Sequence, residues 1–246
     1  MEKRNILIEI SYNGSKYHGF QVQKNAITVE EVVQDAIERI FGVRENIVGC
    51  SRTDTGVHAN SYFFNIITEN PISCERLLHA LNTHLPYDIA VLSCKNVTLD
   101  FHARYHAKEK EYIYKILNSP IKNPFMHELL YQYKYEIDVE KLNRAAQDFV
   151  GTHDFSAFCT KDNKKRTTIR TIYEAKVWRE KDIVYFKVRG NGFLYNMVRI
   201  MAGTLIRIAQ NKIKEDEIPD IINSLDRKRA GVTAPACGLY LNKVIY

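Results

Sequence analysis

Residues 5–12 (Asn-Ile-Leu-Ile-Glu-Ile-Ser-Tyr) alternate apolar and polar positions and predict a strand. Tyr12-Asn13-Gly14-Ser15 then supplies turn chemistry. Thr28 is placed to cap a helix, with Glu31 three residues on as in a capping box. Val32, Val33, Ala36, Ile37, Ile40 and Phe41 follow at helical spacing. Strands are predicted over 46–52 and 61–68, a helix over 74–83 and a strand over 88–97. The order β-α-β-β-α-β is the ferredoxin-like pattern, with two helices on one face of an antiparallel sheet. The remainder repeats the theme at greater length. It predicts a strand at Tyr112–Asn118, a helix over 138–150 capped by Asp138, and strands over 168–178 and 183–190. Leu194, Val198, Met201, Leu205 and Ile208 mark one helix face, Glu215–Ser224 a short helix and Gly238–Ile245 a last strand. The apolar pattern breaks at 104–110, which divides the chain into halves 1–105 and 106–246. The expected fold class is α+β, two ferredoxin-like (RNP-like) halves with mainly antiparallel sheets. The likeness between halves is one of element order, not of sequence.

Composition narrows the class. With 45% hydrophobic and 26% charged residues, the chain has the balance of a folded globular protein. No run of about eighteen apolar residues occurs, so no membrane span is expected. Met1–Ile6 lacks the apolar core of a secretion signal, and a cytoplasmic protein is the expectation. The cysteines at 50, 74, 94, 159 and 237 are widely spaced without a C-x-x-C pair, which argues against a disulfide framework or a structural zinc. Reduced, mostly buried thiols are expected. The net charge of +6 is compatible with a polyanionic partner without establishing one. Two basic loops, Lys161–Arg166 and Asp226–Gly231, read either as solvated surface or as phosphate contacts.

The segment Gly49-Cys-Ser-Arg-Thr-Asp-Thr-Gly-Val-His58 lies between two strand-like runs, which puts Asp54 at a strand end or hairpin tip. Gly56 permits a positive φ and a tight turn there. On an extended backbone Arg52 would share a side with Asp54, and its guanidinium would favour the ionised carboxylate. Such a carboxylate can act as a nucleophile or stabilise charge; an ordinary ion pair in a structural turn fits the spacing too. Asp54-Thr55-Gly56 also spells the D-T-G of aspartic proteases. Those sites need two carboxylates sharing a proton, whereas this chain has one D-T-G, preceded by a cation. His102 and His106 stand four apart, but their segment reads as a strand-to-loop passage and no H-E-x-x-H or acidic cluster accompanies them, so no metal is expected. No Gly-rich nucleotide loop or nucleophile elbow occurs, and no cofactor is expected.

Eight segments, in order along nearly the whole chain, resemble the TruA-type tRNA pseudouridine synthases. They are Tyr12–Gln21, Ser51–Ala59, Asp100–Arg104, Glu111–Tyr114, Asp154–Phe158, Arg166–Arg170, Asn191–Arg199 and Thr233–Leu241. Ser51, Thr55, Asn13 and Tyr195 depart from the family's usual glycine, alanine or serine, aspartate and histidine; none alters the Arg52–Asp54 pair. The resemblance implies an isomerase that converts uridine to pseudouridine at positions 38, 39 and 40 of the anticodon stem-loop of tRNA. Uracil is detached from ribose C1′, rotated and rejoined through C5, with Asp54 as the catalytic carboxylate and no cofactor. Arg52 and Arg199 would hold that carboxylate ionised, and Arg52 would help keep the nucleotide out of its stack. Tyr112 would stack on the extruded uracil. Attack on the sugar, attack on the base and assistance to a glycal-forming elimination all fit these residues. The resemblance further implies a homodimer with tRNA across both subunits, and halves whose sheets join around a basic cleft floored by Asp54. A non-catalytic RNA-binding protein on the same scaffold is the rival reading; the intact set Arg52, Asp54, Tyr112 and Arg199 speaks against it.

Overall fold

The computed structural model describes residues 2–160 and 167–246, so the basic loop Lys161–Arg166 lies outside the described residues. The chain is mixed α/β with mostly antiparallel strands and resolves into two compact units. One unit comprises Met1–Lys108 with Leu241–Tyr246, the other Glu109–Tyr240. The last six residues thus group with the first unit, whereas the sequence pattern ran the second half to 246.

The first unit contains β1 (Arg4–Tyr12), α1 (Val29–Phe41), β2 (Val48–Gly49), β3 (His58–Thr68), α2 (Cys74–His84) and β4 (Ile89–Val97). β1 runs antiparallel between β4 and β3, and β2 pairs with β3. Flanked on both sides, β1 buries Ile6, Ile8 and Ile10 on one face and Leu7 on the other. Thr28 caps α1 by accepting from the Glu31 amide, and Gly42 closes it at φ 72°. Val29, Val33, Ala36 and Ile37 form its buried stripe, and α1 packs on α2. Each of the valine and isoleucine side chains contributes about 1.5–3 kcal/mol when fully buried. The expected strand over 46–52 shrinks to two residues. Gly49 lies so close to Tyr62 and Phe20 that an added Cβ would stand 2.3 Å from the Tyr62 hydroxyl, and the regular strand ends at this residue.

The second unit contains β5 (Glu109–Asn118), β6 (Tyr131–Tyr133), α3 (Val139–Gln147), β7 (Gly151–Asp154), β8 (Ile169–Glu180), β9 (Ile183–Gly190), α4 (Met197–Ala209) and α5 (Ile218–Ser224). The strand order is β6-β5-β9-β8-β7, with β6 parallel to β5. The final strand β10 (Leu239–Ile245) ends in the first unit, where its residues from Leu241 on lie beside β3. Asp138 caps α3 through the Lys141 amide, as its position implied. β9 alternates strictly, burying Val184, Phe186 and Val188. α4 is buried on nearly every side rather than on one face, which makes it the central helix of the unit. α5 starts at Ile218 and not at 215, because Glu215 is held by Arg144 and the Glu217 carboxylate accepts from the Lys214 amide. Of the five cysteines only Cys50 is buried; the other four are partly exposed, and all are free thiols. No helix among the described residues is long and apolar enough to cross a membrane.

Candidate active site

Asp54 sits in the connection 50–57 between β2 and β3, at the hairpin end expected of it. The connection is fixed at both ends. At its start the Cys50 amide donates to Phe63 O at 2.8 Å, and the Tyr62 hydroxyl donates to Ser51 O at 2.5 Å. Tyr62 is fully buried and stacked on Phe20 with ring centroids 4.1 Å apart. Burial pushes its phenol well above the ordinary tyrosine range, so it remains a neutral donor. At the far end the Val57 amide donates to Asp54 O at 3.1 Å and Gly56 adopts φ 76°. A positive φ at the third position of a four-residue turn is the mark of type II. The glycine therefore sets the direction in which Asp54 leaves the turn.

The segment 13–20 forms a second wall. Its short 3₁₀ turn, Gly14–Lys16, is capped by Asn13, whose Oδ1 accepts from the Ser15 amide and hydroxyl. The turn is anchored by the Tyr17 hydroxyl, which donates to Asp88 at 2.6 Å. It meets the Asp54 loop without slack. A Cβ on Gly14 would stand 1.9 Å from Val57 O, and one on Gly19 would stand 2.3 Å from Thr53 O. Hydrogen bonds bind the two segments at this approach. The Gly56 amide donates to Tyr17 O at 3.1 Å, and the Gly14 amide donates to His58 Nδ1 at 3.1 Å. Tyr12 and Thr53 share a hydroxyl–hydroxyl bond of 2.9 Å. His58 is buried, and since its Nδ1 accepts, the ring carries its proton on Nε2. Backbone contacts with β3 and with the 13–20 segment thus fix the Asp54 loop, while Asp54 itself remains partly exposed. A loop held this way fixes the backbone from which the Asp54 side chain projects.

The other three candidates fall in two places. Arg52 shares the loop with Asp54 but is exposed, and its guanidinium engages no carboxylate among the described residues. The expected Arg52–Asp54 ion pair is therefore not formed. Arg52 and Asp54 do not lie on the extended strand that would put both side chains on one side, because the strand ends at Gly49. Tyr112 and Arg199 belong to the second unit. Tyr112 faces Val188 across β5 and β9, is buried, and meets Phe193 edge-on at 5.1 Å. Arg199, in the first turn of α4, donates from Nε to Ala234 O at 2.8 Å and from a terminal nitrogen to Asn196 at 3.1 Å. The Ala234 amide donates back to Arg199 O at 3.0 Å, so the residue and the 234 segment hold each other. Tyr114, two residues along β5 from Tyr112, donates to the adjoining Pro235 O at 2.8 Å. Met197 and Val198 are core, whereas Phe193 is partly exposed.

Residue-by-residue reading missed Gly14, Gly19, Tyr12 and His58 as the frame of the site. Their signal was the co-occurrence of Tyr12–Gln21 with Ser51–Ala59, which pattern alone does not turn into contact. His102 and His106 serve the backbone. His106 Nδ1 accepts from the His102 amide at 3.0 Å, and the His106 ring stacks on Phe101. Among the described residues no group of three or more His, Cys, Asp or Glu could hold a metal ion.

Comparison with known proteins gives a consistent answer. The family model described as tRNA pseudouridine synthase matches residues 9–106 and 145–246. The tRNA pseudouridine synthase A of Thermoanaerobacter sp. (strain X514) is 48% identical over 243 residues, 99% of this chain and 100% of that protein. The enzyme of that name from Acetivibrio thermocellus is 47% identical over 243 residues, with the same shares covered. The tRNA pseudouridine synthase A 2 of Clostridium tetani is 41% identical over 245 residues, 99% of each chain. A solved structure, a Cbf5-Nop10-Gar1 complex, aligns at a TM-score of 0.38 and 11% identity over 96% of this chain and 57% of that one, a likeness too slight to carry any argument. Both matched stretches contain candidate residues, Arg52 and Asp54 in the first and Arg199 in the second, and the chain belongs to the tRNA pseudouridine synthase family.

Proposed function

We propose that this protein converts uridine to pseudouridine at positions 38, 39 and 40 in the anticodon stem-loop of tRNA, with Asp54 as its catalytic carboxylate and no cofactor. The reaction class follows from family membership. The observation that supports the role of Asp54 is its turn, held against the 13–20 segment by backbone contacts that leave no room for a side chain at Gly14 or Gly19. In the reaction the bond between uracil N1 and ribose C1′ breaks, the base turns, C5 bonds to C1′, the C5 hydrogen leaves as a proton and N1 takes up a proton. Asp54 would meet positive charge developing at C1′ or form a covalent bond during the exchange. Arg52, exposed and without a carboxylate partner among the described residues, is suited to hold the nucleotide out of its stack. Tyr112 would contact the extruded uracil, and Arg199 would bind substrate from the first turn of α4. A homodimer acting in the cytoplasm belongs to the same reading.

The ferredoxin-like description of each half belongs to this proposal too. It is supported by the order β4-β1-β3 with β2 on β3 in the first unit, and by β5-β9-β8 in the second. The test is turnover on tRNA transcripts carrying a single uridine at 38, 39 or 40. Pseudouridine is expected at each position, mapped by carbodiimide labelling. Modification confined to uridines outside the anticodon arm would overturn the site assignment while leaving the reaction class.

A further inference from the structure

Within the second unit a cleft of about 460 Å³ opens between the C-terminal end of α4 and the loop after α5. Arg207 and Lys212 line one side, Arg227, Lys228 and Arg229 the other, and no carboxylate enters the lining. The nearby acids are engaged elsewhere. Glu215 pairs with Arg144, Asp226 accepts from the Lys228 amide, and Glu217 accepts from the Lys214 amide and stands 3.7 Å from Arg229. Arg227 is spent on structure, donating to Gly231 O at 2.8 Å and to the Thr233 hydroxyl at 3.3 Å. Burial lowers the pKa of its guanidinium, as expected of a cation drawn partly out of water. The side chains of Arg207, Lys212 and Lys228 have no hydrogen-bond or ion-pair partner among the described residues.

The two walls cannot drift apart. The Gly231 amide donates to the Thr204 hydroxyl of α4 at 2.9 Å, and a Cβ on Gly203 would stand 1.7 Å from Val232 O. The backbone that carries these cations is held at set positions, and the cations repel one another until an anion fills the space. A freely solvated charge run would instead spread outward. We infer that this cleft seats consecutive phosphodiester groups of an RNA strand. Each phosphodiester carries one negative charge, so three uncommitted cations from two chain segments match a run of phosphates better than one small anion. Val232, 54% exposed on the rim, offers the apolar surface a sugar can lie on. The inference rests on the reading of the protein as an enzyme of tRNA.

The test compares wild type with Lys212→Glu/Lys228→Glu in the full chain, binding unmodified tRNA over a salt series. Both lysines are exposed, so the variant is expected to melt like the wild type; if it does not, Lys212→Gln/Lys228→Gln replaces it. The slope of log Kd against log salt is expected to fall by about two in the variant, one per lost phosphate contact, with tRNA affinity at low salt weakened at least about tenfold. An unchanged slope overturns the inference. Titration with inorganic pyrophosphate separates the sources of phosphate. Binding lost in the variant, together with an unchanged tRNA slope, would make the cleft a site for a small free phosphate and overturn its assignment to RNA. Tritium release by the wild type reports separately on the parent reading, so failure of either is read independently.

Discussion

Gly19 offers the sharpest perturbation of the site, because it touches Asp54 through backbone alone. It lies at φ +84°, and a methyl group there would stand 2.3 Å from Thr53 O and 3.3 Å from the carbonyl carbon of Asp54. Real Cβ contacts stay above 3.0 Å, so in Gly19→Ala the Thr53–Asp54 peptide must retreat by at least about 0.7 Å. A displacement near 1 Å in positioned catalytic groups costs about 10²-fold in rate. The left-handed φ adds about 1–2 kcal/mol of strain for a residue with a Cβ. Gly42 separates the two effects. It sits at φ +72° behind α1, and an added Cβ meets nothing within 4 Å. Gly42→Ala therefore carries the backbone strain without moving Asp54. Urea unfolding should show both variants destabilised, each by about 1–2 kcal/mol or more. Tritium release from tRNA should fall about 10²-fold in Gly19→Ala alone. Wild-type turnover in folded Gly19→Ala, or an equal loss in Gly42→Ala, would refute the claim that the 13–20 segment aims Asp54.

Tyr12→Phe removes the partner of the Thr53 hydroxyl, and its coupling to Thr53→Val should be about 0.5–1.5 kcal/mol in a double-mutant cycle on stability; strict additivity would deny that bond. Burial raises the Glu30 carboxyl above 4.5 despite the hydrogen bond from the Val22 amide, so in the folded state the charged form is disfavoured. The stability of the wild type therefore falls as pH rises past 4.5 through the folded value. Glu30→Gln should be the more stable protein at pH 7 and match the wild type below about pH 4, as followed by thermal melts; a variant less stable at pH 7 would contradict this. Asp138→Ala should cost about 0.5–2 kcal/mol through the lost cap of α3 while leaving turnover intact.

The same residues show what the sequence made legible. Thr28 and Asp138 were readable as caps because an N-cap is a local device, settled by a side chain and an amide three residues on. Gly56 was readable for the same reason, since a positive φ is a property of one residue and its turn. The strand predicted over 46–52 failed on a distant cause. Tyr62 and Phe20 crowd Gly49, and neither is its sequence neighbour. The expected Arg52–Asp54 pair assumed an extended backbone, and the loop that forms instead turns Arg52 to solvent. The frame of the site was hidden because each contact joins segments about forty residues apart, as Tyr12 does to Thr53 and Gly14 to His58. Periodicity reports faces, not which face meets which loop. The α4 helix illustrates the converse: its apolar spacing was visible, but its burial on nearly every side depends on the 230–234 segment lying against Gly203.

The central claim is that Asp54 carries the isomerisation. It is tested most directly by tritium release from tRNA bearing 5-tritiated uridine, with wild type and Asp54→Ala assayed side by side. Forming the C5 bond must expel the C5 hydrogen. Release by the wild type and none by an Asp54→Ala protein that still folds and binds tRNA is the expected result. Substantial release by that variant would contradict the role of Asp54, and absence of release by the wild type on every tRNA offered would contradict the proposed reaction.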